Sequence, residues 1–173
     1  MTYGVVDLFC GVGGLTCGLE KAGLIVTAGY NLDATCEYAY NYNNNARFIN
    51  KNIKDVKRKE IKKLLQRYDI KILAGCAPCQ PFSRHQKDKY NRKKHKDWKL
   101  LYQFVRLIEE VKPQIVSMEN VPELVKEQVF MDFLNKLEAQ NYNVTYKIVN
   151  AADYGVPQRR KRLLLLEIGR AHV

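Results

Sequence analysis

The chain has 173 residues, of which 46% are hydrophobic, as expected for one globular domain with a sizeable core. No apolar run approaches the ~20 residues that span a bilayer, and the polar first residues do not resemble a secretory signal, so we expect an intracellular protein without a membrane partner. The net charge of +11 favours a polyanionic partner, although a solvated lysine-rich surface explains it equally well. The five cysteines would then lie in a reducing compartment, where structural disulfides are rare.

Strand-like and helix-like segments alternate along the chain. "YGVVDLF" predicts a strand, "CGVGG" a glycine-rich loop and "LTCGLEKAG" a helix that ends at a glycine. Further strands are predicted at "GLIVTAGY", "IKILAG", "QIVSMEN", "NVTYKIVNA" and the leucine run after "QRRKR". Helices are predicted over 33–42, 57–67, 98–111 and 128–140, a basic loop over 83–96, and a helix end or loop at the asparagines of 41–45. This alternation predicts an α/β fold with a doubly wound, mostly parallel sheet.

In such sheets, ligands bind beyond the carboxyl ends of the strands. The glycine-rich loop follows the first predicted strand, Cys79 follows "IKILAG", and Glu119 and Asn120 end "QIVSMEN". We therefore expect these three groups to share one edge of the sheet.

The loop "DLFCGVGG" has glycines at 11, 13 and 14, where backbone can approach a ligand closely and turn into a helix. A plain strand-to-helix turn explains the loop equally well. The loop lacks the Lys-Ser/Thr ending of a phosphate-binding P-loop, so an adenosyl ligand without a phosphate chain fits better than ATP.

The pair Cys76 and Cys79 in "CAPC" has three interpretations: half of a zinc site, a redox dithiol, or one reactive thiol. The other cysteines are distant, and His85 and His95 form no paired ligand pattern, so we expect no metal. Pro81 follows too closely for a thioredoxin-like dithiol at a helix start. A single nucleophile, Cys79, fits the pattern better.

Two other groups have a functional and an ordinary interpretation. Glu119 directly follows an apolar strand and can serve as a proton carrier there, or it can be a helix cap or a solvated carboxylate. The cations of "QRRKR" form either an ordinary basic loop or a guanidinium fork that orients an anionic or carbonyl-bearing substrate.

Taken together, "DLFCGVGG", "PCQPFS", "MENV" and "QRRKR" resemble the C5-cytosine-specific DNA methyltransferases, in the order and separations of that family and across nearly the whole chain. The resemblance implies a Rossmann-like methyltransferase fold, S-adenosylmethionine as methyl donor, no metal, and double-stranded DNA as substrate. It further implies methylation of carbon 5 of a flipped cytosine through a covalent cysteine adduct. The resemblance also suggests a cognate restriction endonuclease as a partner. It implies a cytoplasmic location in a prokaryote or phage and a nuclear location in a eukaryote.

The resemblance also implies catalytic roles. Cys79 corresponds to the thiolate that adds to carbon 6, and Cys76 is then a bystander. Glu119 corresponds to the residue that acts at ring nitrogen 3, with Asn120 holding the loop. The family's Gln-x-Arg-x-Arg pattern falls on Gln158, Arg160 and Arg162, of which Arg160 is the expected direct participant. The basic loop after Ser83 corresponds to a mobile loop that closes on DNA.

The donor site implied by the resemblance consists of Phe9, Gly11, Gly13, Gly14, Asn31, Leu32, Asn52, Ile53, Pro78 and Leu100. Asn31 and Asn52 depart from the family, which has acidic residues at both positions. An amide carbonyl accepts a hydrogen bond more weakly than a carboxylate, so we expect weakened donor affinity.

The family continues with a target-recognition domain and a returning segment, so we expect 1–167 to be a partial catalytic domain. Residues 168–173 can be back-translated into a common sequencing-adapter sequence, and we expect them to be a non-native tail. Two alternatives stay open: a non-catalytic nucleic-acid-binding fragment, and a tRNA cytosine-5 methyltransferase. "PFSR" favours DNA over tRNA.

Overall fold

The protein is described here by a computed structural model covering residues 1–78 and 98–169. The strands are β1 Tyr3–Leu8, β2 Ile25–Asn31, β3 Arg47–Asn50, β4 Ile70–Gly75, β5 Ile115–Asn120, β6 Tyr142–Asn150 and β7 Lys161–Gly169. The helices are α1 Gly14–Lys21, α2 Glu37–Asn43, α3 Arg58–Leu65, α4 Trp98–Val111 and α5 Gln128–Glu138. Within the described ranges, no helix combines the length and apolarity needed to cross a membrane.

The strands form one seven-stranded sheet in the order β3-β2-β1-β4-β5-β7-β6. The pairs from β3 to β5 are parallel, and β7 is antiparallel to both β5 and β6. The predicted α/β fold with a doubly wound, mostly parallel sheet is confirmed. Because β7 runs in the opposite direction, its first residues meet the carboxyl ends of the parallel strands. We call the end of the sheet at which the parallel strands finish the carboxyl edge.

Most predicted elements are present with small shifts in their ends. The helix predicted over 98–111 is α4, and the asparagine cluster contains the end of α2. The helix predicted over 33–42 begins with a 3-10 turn, Ala34–Cys36, before α2. Strand β3 was missed, because "RFIN" is only four residues long and half polar. The basic loop predicted over 83–96 lies outside the described residues.

Helices pack against both faces of the sheet at β1. Val6 faces a core that includes Phe104 of α4 and Phe130 of α5, whereas Val5 faces a smaller core around Tyr40 of α2. Successive strand residues point to opposite faces, so β1 is buried on both sides. Each large apolar side chain buried in this way contributes roughly 1.5–3 kcal/mol, which makes β1 a firm support for the loop that follows it.

The face of β7 opposite α5 is exposed within the described part of the chain. Leu164, Leu166 and Ile168 are 42%, 52% and 58% exposed, while Leu163 and Leu165, which point to the other face, are buried. Strand β7 includes Ile168 and Gly169, which pair with β6, and residues 170–173 lie outside the described chain.

Candidate active site

The carboxyl edge brings together the loops after β1, β2, β3, β4 and β5. The main-chain N–H of Cys76, just after β4, donates to the carbonyl of Leu8 at the end of β1 over 3.2 Å. A Cβ on Gly75 would lie 2.7 Å from that same carbonyl oxygen, so only glycine permits this approach. The end of β4 is therefore fixed directly against the glycine-rich loop.

The glycine-rich loop has an open inner side. Phe9, Gly11 and Gly13 all have positive φ angles, of 64°, 53° and 92°. A Cβ on Gly13 would overlap the side chains of Asn44 and Tyr40, so the αL conformation and the lack of space both require glycine there. By contrast, apart from the adjoining residues and the backbone of α1 itself, no described atom lies within 4 Å of a Cβ built on Gly11 or Gly14. The loop thus leaves space for a ligand next to the first turn of α1.

A buried cluster of polar side chains lies next to this loop and consists of Asp7, Thr16 and Tyr40. The Thr16 hydroxyl donates to Asp7 Oδ2 over 2.7 Å and lies 3.0 Å from the hydroxyl of Tyr40, which therefore donates to Thr16. Burial raises the pKa of Asp7 to about 7. Sequence reasoning missed this group, although an aspartate inside the apolar run "VVDLF" was a usable signal.

The residues predicted to contact the adenosyl group also lie at the carboxyl edge. The Asn31 amide donates to the carbonyl of Asp33 over 3.3 Å, at the end of β2. Asn52 follows β3, and its Oδ1 accepts a hydrogen bond from the N–H of Lys54 over 3.1 Å. Arg106 of α4 donates to the carbonyl of buried Ile53 over 3.0 Å.

The remaining predicted donor-site residues differ in exposure. Leu32, after β2, is exposed, whereas Phe9, Pro78 and Leu100 are half-buried. Phe9 and Leu100 also pack against the larger core. The edge therefore presents partly covered apolar surface beside the polar ends of β2 and β3.

Glu119 is held at both carboxylate oxygens. Its Oε1 lies 2.7 Å from Nε of Arg162, the second residue of β7, and its Oε2 accepts from Sγ of Cys76 over 2.7 Å. The side chains of Glu119 and Arg162 are 26% and 21% exposed, so the ion pair is shielded from water but not sealed off. This ion pair connects β5 and β7 at the carboxyl edge.

Asn120 is buried and holds the segment that leads to Cys79. Its side-chain amide donates to the carbonyl of Ala77 over 3.0 Å, and its Oδ1 accepts from the N–H of Val121 over 2.8 Å. Cys79 itself lies outside the described residues. Ala77 precedes it by two residues, so Asn120 fixes the chain just before the predicted nucleophile.

The structure separates the three residues of the Gln-x-Arg-x-Arg pattern. Gln158 and Arg160 are exposed in the segment before β7, and the N–H of Arg160 donates to Oδ1 of Asn150 over 3.0 Å. In the described part of the chain, the cation that contacts Glu119 is Arg162. The direct role predicted for Arg160 stays a prediction. Cys76, expected to be a bystander, also contacts Glu119.

The described part of the chain lacks a set of side chains that could bind a metal ion together. Across residues 1–78 and 98–169, no three His, Cys, Asp or Glu side chains form a group that could hold a metal ion.

The chain is similar in sequence to proteins of one family. A profile of the C-5 cytosine-specific DNA methylase family matches residues 3–171. The type II methylase M.HgiDII of Herpetosiphon aurantiacus is 48% identical over 168 residues, covering 95% of this chain and 47% of that protein. The type II methyltransferase M.XorII of Xanthomonas oryzae pv. oryzae is 34% identical, covering 93% of this chain and 39% of that protein. The chain thus spans about half the length of these relatives, or less.

The fold of this chain is also found in proteins of solved structure. A prophage-encoded DNA modification methyltransferase of Escherichia coli superposes with a TM-score of 0.80 at 25% identity, covering 98% of this chain and 47% of that one. Spodoptera frugiperda DNMT2 superposes with a TM-score of 0.79 at 22% identity, covering 99% and 51% of the two chains, which shows a shared fold.

Proposed function

Because the chain belongs to the C-5 cytosine-specific DNA methylase family, we propose that the protein methylates carbon 5 of cytosine in double-stranded DNA, with S-adenosylmethionine as the methyl donor. The observation that carries this proposal is the arrangement around Glu119. Arg162 and Cys76 hold the carboxylate, while the neighbouring Asn120 holds the segment leading to Cys79. Glu119, the proposed acid–base group, therefore lies beside the segment that leads to the proposed nucleophile, Cys79. The two follow adjacent strands, β5 and β4.

The proposed chemistry begins with the low reactivity of carbon 5. The Cys79 thiolate adds to carbon 6 while Glu119 shares a proton with ring nitrogen 3, so that the electron pair of the former double bond becomes available at carbon 5. When bound, S-adenosylmethionine supplies an electrophilic methyl group. A base then takes the proton from carbon 5, the electron pair of that bond reforms the double bond to carbon 6, and the bond between carbon 6 and sulfur breaks to release the thiolate. Carbon 6 is shielded in a stacked duplex, so the cytosine must leave the stack.

The proposed donor site fits the open side of the glycine-rich loop. Gly11 and Gly14 leave unoccupied space beside the chain, and the half-buried Phe9 offers an apolar surface next to it. The full set assigned to the donor is Phe9, Gly11, Gly13, Gly14, Asn31, Leu32, Asn52, Ile53, Pro78 and Leu100. In this proposal Asn31 faces the ribose hydroxyls, and Asn52 faces the adenine amino group.

Asn52→Asp is expected to tighten donor binding. Oδ1 of Asn52 already accepts from Lys54, and the other amide atom is an N–H donor that cannot accept from an adenine amino group. An aspartate would keep the bond to Lys54 and provide a second, charged acceptor, worth roughly 1 kcal/mol or about fivefold in Kd. Calorimetric titration with S-adenosylmethionine measures the change. Asn135→Asp, an exposed change on α5, is the matched control and should leave Kd unaltered; unchanged or weaker binding by Asn52→Asp would contradict the assignment.

The direct test of the proposed function uses labelled S-adenosylmethionine. Binding to the chain is measured with and without duplex DNA, and label incorporation is followed in duplex DNA and in transfer RNA. We expect binding of the donor and incorporation at cytosine carbon 5 of DNA. Label found only in transfer RNA, or donor binding that is absent under all conditions, would refute the proposal.

DNA binding is expected to weaken steeply with salt. Each phosphate neutralised by a lysine or arginine contributes roughly one power of salt concentration to the affinity. The paired substitution Lys93→Ala and Lys94→Ala, in the predicted basic loop, should therefore reduce the slope of log affinity against log salt by about two. The pair Lys62→Ala and Lys63→Ala on α3 has the same charge change and should retain the slope. Fluorescence anisotropy across a salt series gives both slopes, and equal slopes for the two pairs would rule out a DNA contact by the basic loop.

A further inference from the structure

Cys76 has a fixed position beside Glu119 that follows from the sheet register. Strands β4 and β5 are parallel, with Gly75 paired with Met118. One step further, Cys76 follows the last residue of β4 and Glu119 follows Met118 within β5, so the two side chains point to the same face of the sheet. The thiol is therefore held by the sheet and not by a freely moving loop.

The main chain around Cys76 is fixed on two sides. Its N–H donates to the carbonyl of Leu8 on one neighbouring strand, and the carbonyl of the next residue, Ala77, accepts from Asn120 on the other. These bonds leave the Cys76 side chain little freedom other than rotation about its own Cα–Cβ bond. In this setting Sγ lies 2.7 Å from Oε2 of Glu119.

The two donors to the Glu119 carboxylate differ in strength. The Arg162 guanidinium at Oε1 is a charged donor, whereas a thiol at Oε2 is a weak, neutral donor. An incoming base can replace the thiol at Oε2 far more readily than it can replace the guanidinium at Oε1. Oε2 is thus the oxygen that can turn to a substrate.

We propose that Cys76 is a positioning residue, whose thiol holds Oε2 of Glu119 in place until ring nitrogen 3 of cytosine takes over that oxygen. This inference rests on the proposed function. It separates the two cysteines of "CAPC" into a nucleophile, Cys79, and a residue that orients the acid–base group. Without the thiol, Arg162 is the donor that Glu119 keeps among the described residues, and the carboxyl can rotate about its last side-chain bond, so fewer molecules hold it ready for the base.

The contact itself can be tested without any enzymatic activity. The infrared S–H stretching band of Cys76 is obtained as the difference between the spectra of the wild-type chain and Cys76→Ser. The band should shift to higher frequency in Glu119→Gln, because an amide is a weaker acceptor than a carboxylate. A band that does not respond to Glu119→Gln would overturn the proposal.

The positioning role is tested by the rate of adduct formation with duplex DNA that contains 5-fluorocytosine, in the presence of S-adenosylmethionine. Cys76→Ala is expected to slow this rate about tenfold, while Cys76→Ser, which keeps a donor, should stay within about threefold of wild type. Equal rates for all three, or a serine variant as slow as the alanine variant, would overturn the positioning role alone. A wild-type chain that forms no adduct, with the infrared band behaving as expected, would refute the proposed function and the role of this contact with it.

Discussion

Cys79→Ala is expected to abolish methyl transfer and to eliminate the adduct with 5-fluorocytosine DNA. The proposed reaction needs a nucleophile at carbon 6, since carbon 5 does not attack the methyl group on its own. Alanine leaves DNA and donor binding in place but has no atom that can form the covalent bond. We expect the rate to fall by at least about a thousandfold, as for other enzymes that lose their nucleophile.

Cys17→Ala is the matched control for this substitution. Cys17 is a half-buried residue of α1, where alanine is an excellent helix former, and the variant should keep wild-type rates. Peptide mapping of the 5-fluorocytosine adduct locates the attacking sulfur directly. An adduct on any cysteine other than Cys79, or full activity of Cys79→Ala, would disprove the assignment.

The position of Glu119 and Asn120 at one edge could be predicted from the sequence. Both end an apolar strand, and "IKILAG" ends one strand earlier, so a parallel sheet places the residues that follow at the same edge. The glycine-rich loop after β1 obeys the same rule. These predictions needed only the direction of the strands and not their exact register.

The contacts within the edge could not be predicted, because they depend on register and on strand parity. Leu164 of β7 pairs with Glu119, and Arg162 lies two residues before Leu164 on the same face. Arg160 precedes β7, so no strand parity directs its side chain. The sequence shows four adjacent cations in "RRKR", and only the antiparallel pairing of β7 with β5 identifies Arg162 as the one beside Glu119.

Short and buried polar features were missed for related reasons. The four residues of β3 are too few for a period-two pattern to be distinguished from a loop. Asp7 and Thr16 are nine residues apart, on a strand and on the following helix, and their hydrogen bond requires α1 to pack back onto β1. Polar pairs of this kind become visible only when the packing of the elements is known.

Glu167 is expected to make the stability of the chain strongly dependent on pH. It follows Leu163 and Leu165 on the inward face of β7 and is fully buried, and neither carboxyl oxygen has a hydrogen-bond partner among the described residues. Burial disfavours the charged form and raises the pKa of Glu167 from its ordinary 4.5 to about 8. Between these values the folded chain holds a proton that the unfolded chain has lost. The free energy of unfolding therefore falls as pH rises through this window, by up to about 5 kcal/mol.

Glu167→Gln is expected to remove this contribution. A neutral amide resembles the protonated carboxyl, so the variant should match wild type near about pH 4, below the ordinary pKa, and exceed it by a few kcal/mol near about pH 9. Asp7, whose pKa burial raises from 3.8 to about 7, contributes a slope of the same sign and similar size between these pH values, and Glu167→Gln keeps that slope. Urea unfolding of both chains at several pH values gives the free energies, with Glu138→Gln, an exposed change at the end of α5, as the control that keeps the wild-type slope. Identical pH dependence in wild type and Glu167→Gln would mean that Glu167 ionises in the folded chain at its ordinary pKa, and that the inward face of β7 is open to water.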